Sequence, residues 1–118
     1  MIQQFIRRLI SPFLSRFSKK WRLVIVEGDS LPDKIPQRVL VLARDGHEDW
    51  CVGMRCPCGC QKLIELMLIP EASPRWTLMT DSKGRPTLKP SVWLKAGCRS
   101  HFWLRNGQVE WCRDSDQA

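Results

Sequence analysis

The sequence predicts a mainly β fold: a small antiparallel, zinc-stabilised β domain with an amphipathic basic helix at its N-terminus. From residue 23 onward, short β-branched or aromatic runs alternate with Gly, Pro and Asn-Gly turn signals, as in strands joined by tight turns. Three thiols lie within Cys56-Pro57-Cys58-Gly59-Cys60, a density that suits a soft tetrahedral metal site. A chain of 118 residues fits one domain whose modest core would benefit from a metal.

Residues 1–22 are predicted to form a helical arm that precedes a β domain of residues 23–118. Apolar side chains in the arm recur at spacings of three and four, and Pro12 should kink or split the helix. The arm holds six Lys or Arg residues and no acid, whereas the rest of the chain is almost neutral. The helix therefore either contacts a membrane surface or a partner, or packs on its own domain. The neutral body argues against specific nucleic-acid binding.

The strands follow from local signals taken in chain order. Residues 23–27 form a β-branched run closed by Gly28, and residues 38–43 end at the Asp45-Gly46 turn, so residues 49–55 can pair back as a hairpin. Residues 62–69 are nearly all apolar, which indicates a buried strand. Residues 75–80 precede a turn at residues 81–84. Residues 87–95 are extended, and Pro90 places them at a sheet edge or at the start of a strand.

The last hairpin is the best-defined element. Residues 99–105 and 108–112 flank Asn106-Gly107, the strongest short-range hairpin signal. A two-residue loop sets the register, so that Arg105 lies opposite Gln108 and His101 lies opposite Cys112. We therefore expect His101 and Cys112 to share one small site.

Cysteine and histidine spacing indicates a metal that ties the middle of the chain to its end. The first choice of zinc ligands is Cys58, Cys60, Cys98 and Cys112, with Cys56 and His101 in reserve. Cys51 is read as an ordinary buried residue. A disulfide framework and a Rieske-like iron–sulfur site rank below zinc. No secretory signal and no membrane-spanning apolar stretch is recognised, so we expect a cytoplasmic address with reduced thiols.

Three residues are candidates for catalysis. If Cys112 takes the fourth metal position, His101 is left beside the site as a general base, and Ser91 and Ser100 are candidate nucleophiles. Neighbours in a strand face opposite ways, so Ser91 can approach His101 from an adjacent strand more readily than Ser100 can. On spacing alone, both serines are ordinary turn and edge residues. The sequence contains no G-x-S-x-G, H-E-x-x-H or Gly-rich phosphate loop.

Several short motifs follow one another along the second half of the chain. They are Cys56-Pro57-Cys58-Gly59-Cys60, Pro70, Pro74-Arg75-Trp76, Thr87-Leu88-Lys89-Pro90-Ser91-Val92-Trp93, Gly97-Cys98-Arg99-Ser100-His101-Phe102-Trp103 and Val109-Glu110-Trp111-Cys112. Together they resemble a bacterial domain family of unknown function, whose members are encoded beside ubiquitin-like proteins and relatives of ubiquitin-activating and ubiquitin-conjugating enzymes. Family members commonly have Gly after the third cysteine, where this chain has Gln61.

The resemblance implies a place in a bacterial ubiquitin-like conjugation pathway, with the ubiquitin-like protein and its conjugation enzymes as partners. It also implies Ser91, Ser100 and His101 as matching polar positions and Cys58, Cys60, Cys98 and Cys112 as metal ligands. The leading hypothesis is a zinc-containing peptidase that processes or deconjugates the ubiquitin-like protein. The alternative is a non-catalytic zinc-binding adaptor that recruits a protein partner in the same pathway.

Overall fold

A computed structural model of the protein describes residues 20–112 as eight β-strands in two four-stranded sheets. The strands are β1 (Arg22–Glu27), β2 (Val39–Asp45), β3 (Glu48–Arg55), β4 (Leu63–Met67), β5 (Thr77–Thr80), β6 (Pro86–Trp93), β7 (His101–Arg105) and β8 (Gln108–Trp111). Each lies where the sequence predicts a strand, so the mainly β fold is confirmed. Among residues 20–112 there is no helix, and therefore none that is long and apolar enough to cross a membrane.

The helical arm was predicted for residues 1–22, and its first 19 residues lie outside the described part of the chain. Its last three residues are not helical, because Arg22 already begins β1. Trp21 is 3% exposed within the main core, and its backbone N–H donates to the Gly107 carbonyl at 2.6 Å. The described part of the arm therefore belongs to the β domain.

The first sheet has the order β1-β2-β3-β4 and contains one parallel pair, β1 with β2. The predicted hairpin at Asp45-Gly46 is confirmed, since β2 and β3 are antiparallel and Gly46 has φ 64°. The parallel pair is the one departure from the antiparallel prediction. It arises because residues 28–38 form a long crossover, which parallel strands require and a tight turn cannot supply.

The second sheet is an antiparallel meander, β5-β6-β7-β8. The pairing of β7 with β8 confirms the register predicted from Asn106-Gly107, with Arg105 opposite Gln108. The prediction that Pro90 marks an edge or a strand start is wrong, because β6 lies between β5 and β7. Pro90 is tolerated inside this strand because the β6–β7 register shifts between Leu88 and Val92.

The main hydrophobic core joins both sheets. Its fully buried side chains include Leu40, Val52 and Met54 from the first sheet and Leu88 and Phe102 from the second. A second cluster covers the other face of β2, and it contains Ile35, Val39 and Val41, with Leu31 packed against it. β2 is therefore buried on both faces, and the crossover after β1 forms the outer cover.

Gly107 is a position where a side chain should be costly. It has φ 77°, and a Cβ there would lie 2.8 Å from the Trp21 carbonyl oxygen. Gly84 has a similar φ of 75° with nothing within 4 Å. We expect Gly107→Ala to lower the free energy of unfolding by about 2–4 kcal/mol and Gly84→Ala by about 1 kcal/mol. Urea denaturation of both variants measures the difference, and equal losses would show that the Trp21 contact does not matter.

Candidate active site and cysteine cluster

The cysteine knuckle (residues 56–60) lies in the loop that joins β3 to β4. The Cys56 N–H donates to the Lys62 carbonyl at 2.8 Å, and the Gly59 N–H donates to the Cys56 carbonyl at 3.1 Å, so the loop folds back tightly. Gly59 has φ 94° and Gln61 has φ 73°. Both angles lie in the left-handed region that favours glycine, so Gln61 adopts a backbone conformation that residues with a side chain rarely take.

The loop between β6 and β7 (residues 94–100) supplies the second half of the cluster. The Leu94 N–H donates to the Ser100 carbonyl at 2.8 Å and closes the base of the loop. Gly97 and Arg99 both have positive φ, at 71° and 56°, on either side of Cys98. This backbone presents Cys98 and Ser100 to the knuckle, although they lie about forty residues further along the chain.

Four cysteines converge where the two loops meet. The sulfurs of Cys56, Cys58, Cys60 and Cys98 all lie within 4.8 Å of one another. The Cys56 sulfur is 3.4 Å from that of Cys58 and 3.6 Å from that of Cys98, and the Cys60 and Cys98 sulfurs are 3.6 Å apart. A tetrahedral ion with metal–sulfur bonds of about 2.3 Å places its sulfurs about 3.8 Å apart. The four side chains can therefore hold a metal ion with little movement.

The cluster does not have a uniform environment. Cys56 is buried at the end of β3, and burial raises the pKa of its thiol to about 12. The Ser100 hydroxyl, by hydrogen bonding to the Cys98 sulfur, lowers the pKa of that thiol to about 6. A hydrogen bond from Cys56 lowers the pKa of the Cys58 thiol. The Lys62 backbone N–H lowers the pKa of the Cys60 thiol, but the contact with Cys58 and burial outweigh it, so that this pKa is raised. One side of the cluster is therefore set in the core, and of the three exposed thiols those of Cys58 and Cys98 favour the thiolate.

The structure brings together three of the four cysteines that we predicted as ligands, namely Cys58, Cys60 and Cys98. The fourth member of the group is Cys56, which the prediction held in reserve, and the group does not include Cys112. Cys112 lies opposite His101 as expected, with its N–H donating to the His101 carbonyl at 2.9 Å. The β7 side of the cluster is Cys98, in the loop that precedes His101. Cys112 pairs with His101 itself, and this pairing leaves Cys112 outside the cluster.

Ser91 and His101 form a close pair on neighbouring strands. Ser91 Oγ lies 2.9 Å from His101 Nε2, which is hydrogen-bond distance. Ser91 lies within the irregular stretch of β6 between Leu88 and Val92, and its carbonyl accepts a hydrogen bond from Trp76 Nε1 at 3.3 Å. The irregular pairing and the Trp76 contact place the Ser91 hydroxyl at the start of β7, where His101 lies.

Ser100 has different neighbours. It is 7% exposed, and its Oγ lies 3.1 Å from the Cys98 sulfur and 3.5 Å from the Cys56 sulfur. Its hydroxyl thus faces the cysteine cluster, while the next residue, His101, bonds to Ser91. This alternation is what a strand imposes on consecutive side chains.

The His101 ring is held on one face by an aromatic neighbour, and its second nitrogen has no partner among the residues that the structure describes. It stacks on Trp93 with ring centroids 4.9 Å apart and an interplanar angle of 18°. Trp93 is the register partner of His101 across the β6–β7 pair. His101 Nδ1 is buried, and no hydrogen-bond partner for it exists within residues 20–112.

The fold and the site together define a class of small two-sheet β protein in which a serine–histidine pair lies beside a four-cysteine cluster. A family model for the bacterial ubiquitination-like system serine protease (BubE) matches residues 27–112, most of the chain. The chain belongs to this family, which confirms the resemblance predicted from its motifs. No curated protein and no solved structure matches the chain at a significant level.

Proposed function

We propose that this protein is a serine peptidase that processes or deconjugates a bacterial ubiquitin-like protein, with Ser91 as nucleophile and His101 as general base. The observation that carries the proposal is the 2.9 Å separation of Ser91 Oγ and His101 Nε2. A nucleophile within hydrogen-bond reach of its base is the arrangement that activates a serine hydroxyl. The family description supplies the reaction type and the pathway.

The reaction starts from the neutral imidazole with its proton on Nδ1, so that Nε2 accepts the hydrogen bond from the Ser91 hydroxyl. As Oγ attacks the scissile carbonyl carbon, Nε2 takes the hydroxyl proton, and the imidazolium then donates it to the leaving amine. The resulting acyl-enzyme ester is hydrolysed by a water molecule, which His101 deprotonates in turn. As the bond between the acyl carbon and Ser91 Oγ breaks, the His101 imidazolium returns its proton to Oγ, and the ubiquitin-like protein leaves with a free C-terminal carboxylate.

The four-cysteine cluster is proposed to bind one zinc ion in a structural role. Four sulfur ligands fill a tetrahedral site and leave no position for substrate or water. Zinc at this point would link the β3–β4 loop to the β6–β7 loop, and the latter leads directly into His101. The metal would thus hold the base in place without taking part in the reaction. Zinc-bound thiolates suit the reducing cytoplasm, which is the location we propose.

The test of the proposed function is incubation of the protein with the precursor of a ubiquitin-like protein from a bacterial ubiquitination-like system. We expect cleavage after the mature C-terminus, detected by mass spectrometry. A fluorophosphonate probe, which reacts with activated serines, should modify Ser91. An intact precursor together with an unlabelled protein would reject the peptidase and favour a non-catalytic zinc-binding adaptor. Such an adaptor is expected to bind the conjugation enzymes without cleaving the precursor.

Ser100 is expected to support the metal site rather than to act as a nucleophile. Ser100→Ala removes the hydroxyl that bonds to the Cys98 sulfur, and loss of such an outer hydrogen bond typically weakens metal binding about 10- to 100-fold. Competition with a chromophoric zinc chelator measures this affinity. With saturating zinc, Ser100→Ala should still be labelled by the fluorophosphonate at Ser91. Unchanged zinc affinity combined with lost labelling would instead identify Ser100 as part of the catalytic machinery.

A further inference from the structure

We infer that Trp93 is a positioning residue that orients the His101 imidazole, the task that a hydrogen-bonded carboxylate performs in a Ser-His-Asp triad. The inference rests on the proposed function, since it explains how the base of the serine–histidine pair is held. Two observations carry it. The Trp93 indole stacks on one face of the imidazole, and Nδ1 at the ring's edge has no partner among residues 20–112.

The first observation concerns what His101 lacks. For Nε2 to accept the Ser91 proton, Nδ1 must carry the hydrogen of the neutral ring. Nδ1 is buried, and within the described chain no carboxylate or carbonyl accepts from it. Among the described residues, therefore, no hydrogen bond at Nδ1 fixes the tautomer of the ring or its rotation about the Cβ–Cγ bond.

The second observation concerns what His101 has instead. Trp93 and His101 are direct cross-strand partners, and their rings are nearly parallel, with an interplanar angle of 18°. A partial rotation of the imidazole about Cβ–Cγ would tilt the ring into the indole or lose the stacking contact between the two rings. The same rotation would move Nε2 away from Ser91. The flat face of Trp93 therefore holds the ring in the plane in which Nε2 reaches Ser91, and the Ser91 hydroxyl bonded to Nε2 then favours the proton on Nδ1.

Lys95 in turn restrains Trp93. Its ammonium nitrogen lies over the indole ring, 2.8 Å from the ring centroid, in a cation–π contact. Trp93 is 41% exposed, so packing on the outer side does not fix it. The contact between Lys95 and Trp93 reduces the freedom of the indole, and the stack from Lys95 through Trp93 to His101 forms one ordered unit at the start of β7.

The chain offers a matched set of variants for the test. Trp93→Phe keeps a flat ring, whereas Trp93→Leu keeps apolar volume without one. Trp103 is a suitable control because it lies on β7 with the Arg105 guanidinium over its ring, 4.2 Å from the centroid, yet its indole is not the one that stacks on His101. Thermal melting of each variant verifies that it is folded.

The first measurement is the rate constant for fluorophosphonate modification of Ser91. We expect Trp93→Leu to lower it about 10- to 100-fold, the scale of loss that small misplacements of catalytic groups cause. Trp93→Phe should remain within a few-fold of the native protein, and Trp103→Leu should leave the rate unchanged. With the precursor as substrate, Trp93→Leu should lower kcat at similar KM. An unchanged labelling rate in Trp93→Leu, or a rise in KM alone, would overturn the inference and make Trp93 a substrate contact.

The second measurement does not depend on peptidase activity. The chain has two histidines, so the ring ¹⁵N signals of His101 can be assigned by comparison with a His47→Gln variant. We expect a single Nδ1–H tautomer in the native protein and in Trp93→Phe, and mixed tautomers in Trp93→Leu. If the native protein is not labelled but these spectra behave as expected, the proposed function fails while the positioning role of Trp93 stands. Identical spectra in all variants reject that role.

Discussion

Replacing Ser91 with alanine should abolish precursor cleavage, with a loss of at least about 10³-fold in kcat. Removal of the nucleophile eliminates the covalent route, and in serine proteases only the much smaller contribution of binding and oxyanion stabilisation is left. Ser91 Oγ is the hydroxyl that lies within hydrogen-bond distance of His101 Nε2, and loss of one part-buried hydroxyl should change the melting temperature little. Single-turnover cleavage, followed by gel or mass spectrometry, measures the effect.

Two controls sharpen this prediction. Ser82→Ala removes an exposed serine from the turn after β5 and should leave cleavage unchanged. His101→Ala should lose as much activity as Ser91→Ala, and the double variant should be no worse, because residues that act as one unit are not additive. Native cleavage rates in Ser91→Ala would reject Ser91 as the nucleophile, whatever the outcome for Ser100→Ala.

Removing the metal should unfold the protein or shift its melting temperature by tens of degrees. Structural zinc contributes about 10–16 kcal/mol in small zinc-dependent peptides, whereas a typical domain is stable by only about 5–15 kcal/mol in total. The proposed site joins two loops that belong to different sheets, so its loss would release the contact between the sheets at this end. Elemental analysis of the purified protein should find about one zinc per chain. Circular dichroism during chelator titration follows the unfolding.

The ligand set can be tested by comparing two cysteines. Cys56→Ser should lose stoichiometric zinc, because Cys56 belongs to the group of four sulfurs. Cys112→Ser is the matched control and should keep its zinc, since Cys112 is outside that group. The reverse result would restore the ligand set predicted from the sequence. Native protein without metal, or with these sulfurs joined as disulfides, would reject the zinc site altogether.

Local signals were sufficient for the strands and for some of their pairing. The Asn106-Gly107 turn acts over a few residues and leaves only one register for β7 and β8. The Asp45-Gly46 signal located the hairpin of β2 and β3 but not its full register, which shifts between Ala43 and Arg44. Proline was less informative. Pro90 indicated an edge, but the irregular pairing of β6 with β7 removes the hydrogen-bonding demand that normally excludes proline from an inner strand.

The fourth cysteine illustrates where spacing fails. The prediction held Cys56 in reserve, whereas the structure places it buried within the cluster, directly after a strand that is buried from Cys51 to Met54. A signal was present in the knuckle itself, because Cys56 and Cys58 flank Pro57 in the same spacing by which Cys58 and Cys60 flank Gly59. Whether three sulfurs of one short loop can face a common point depends on backbone angles, such as those at Gly59 and Gln61, which spacing does not specify.

Residue types and their spacing were enough to predict a small β protein, a metal site shared between the cysteine knuckle and the end of the chain, and a resemblance to proteins of a bacterial ubiquitin-like system. These properties rest on residue types and on contacts between near neighbours in the chain. The parallel pairing of β1 with β2, the place of Cys56 in the cluster and the contact of Ser91 with His101 became clear from the three-dimensional fold. Each of these depends on how distant segments are aligned, and that alignment is fixed by the packing of two sheets around one core.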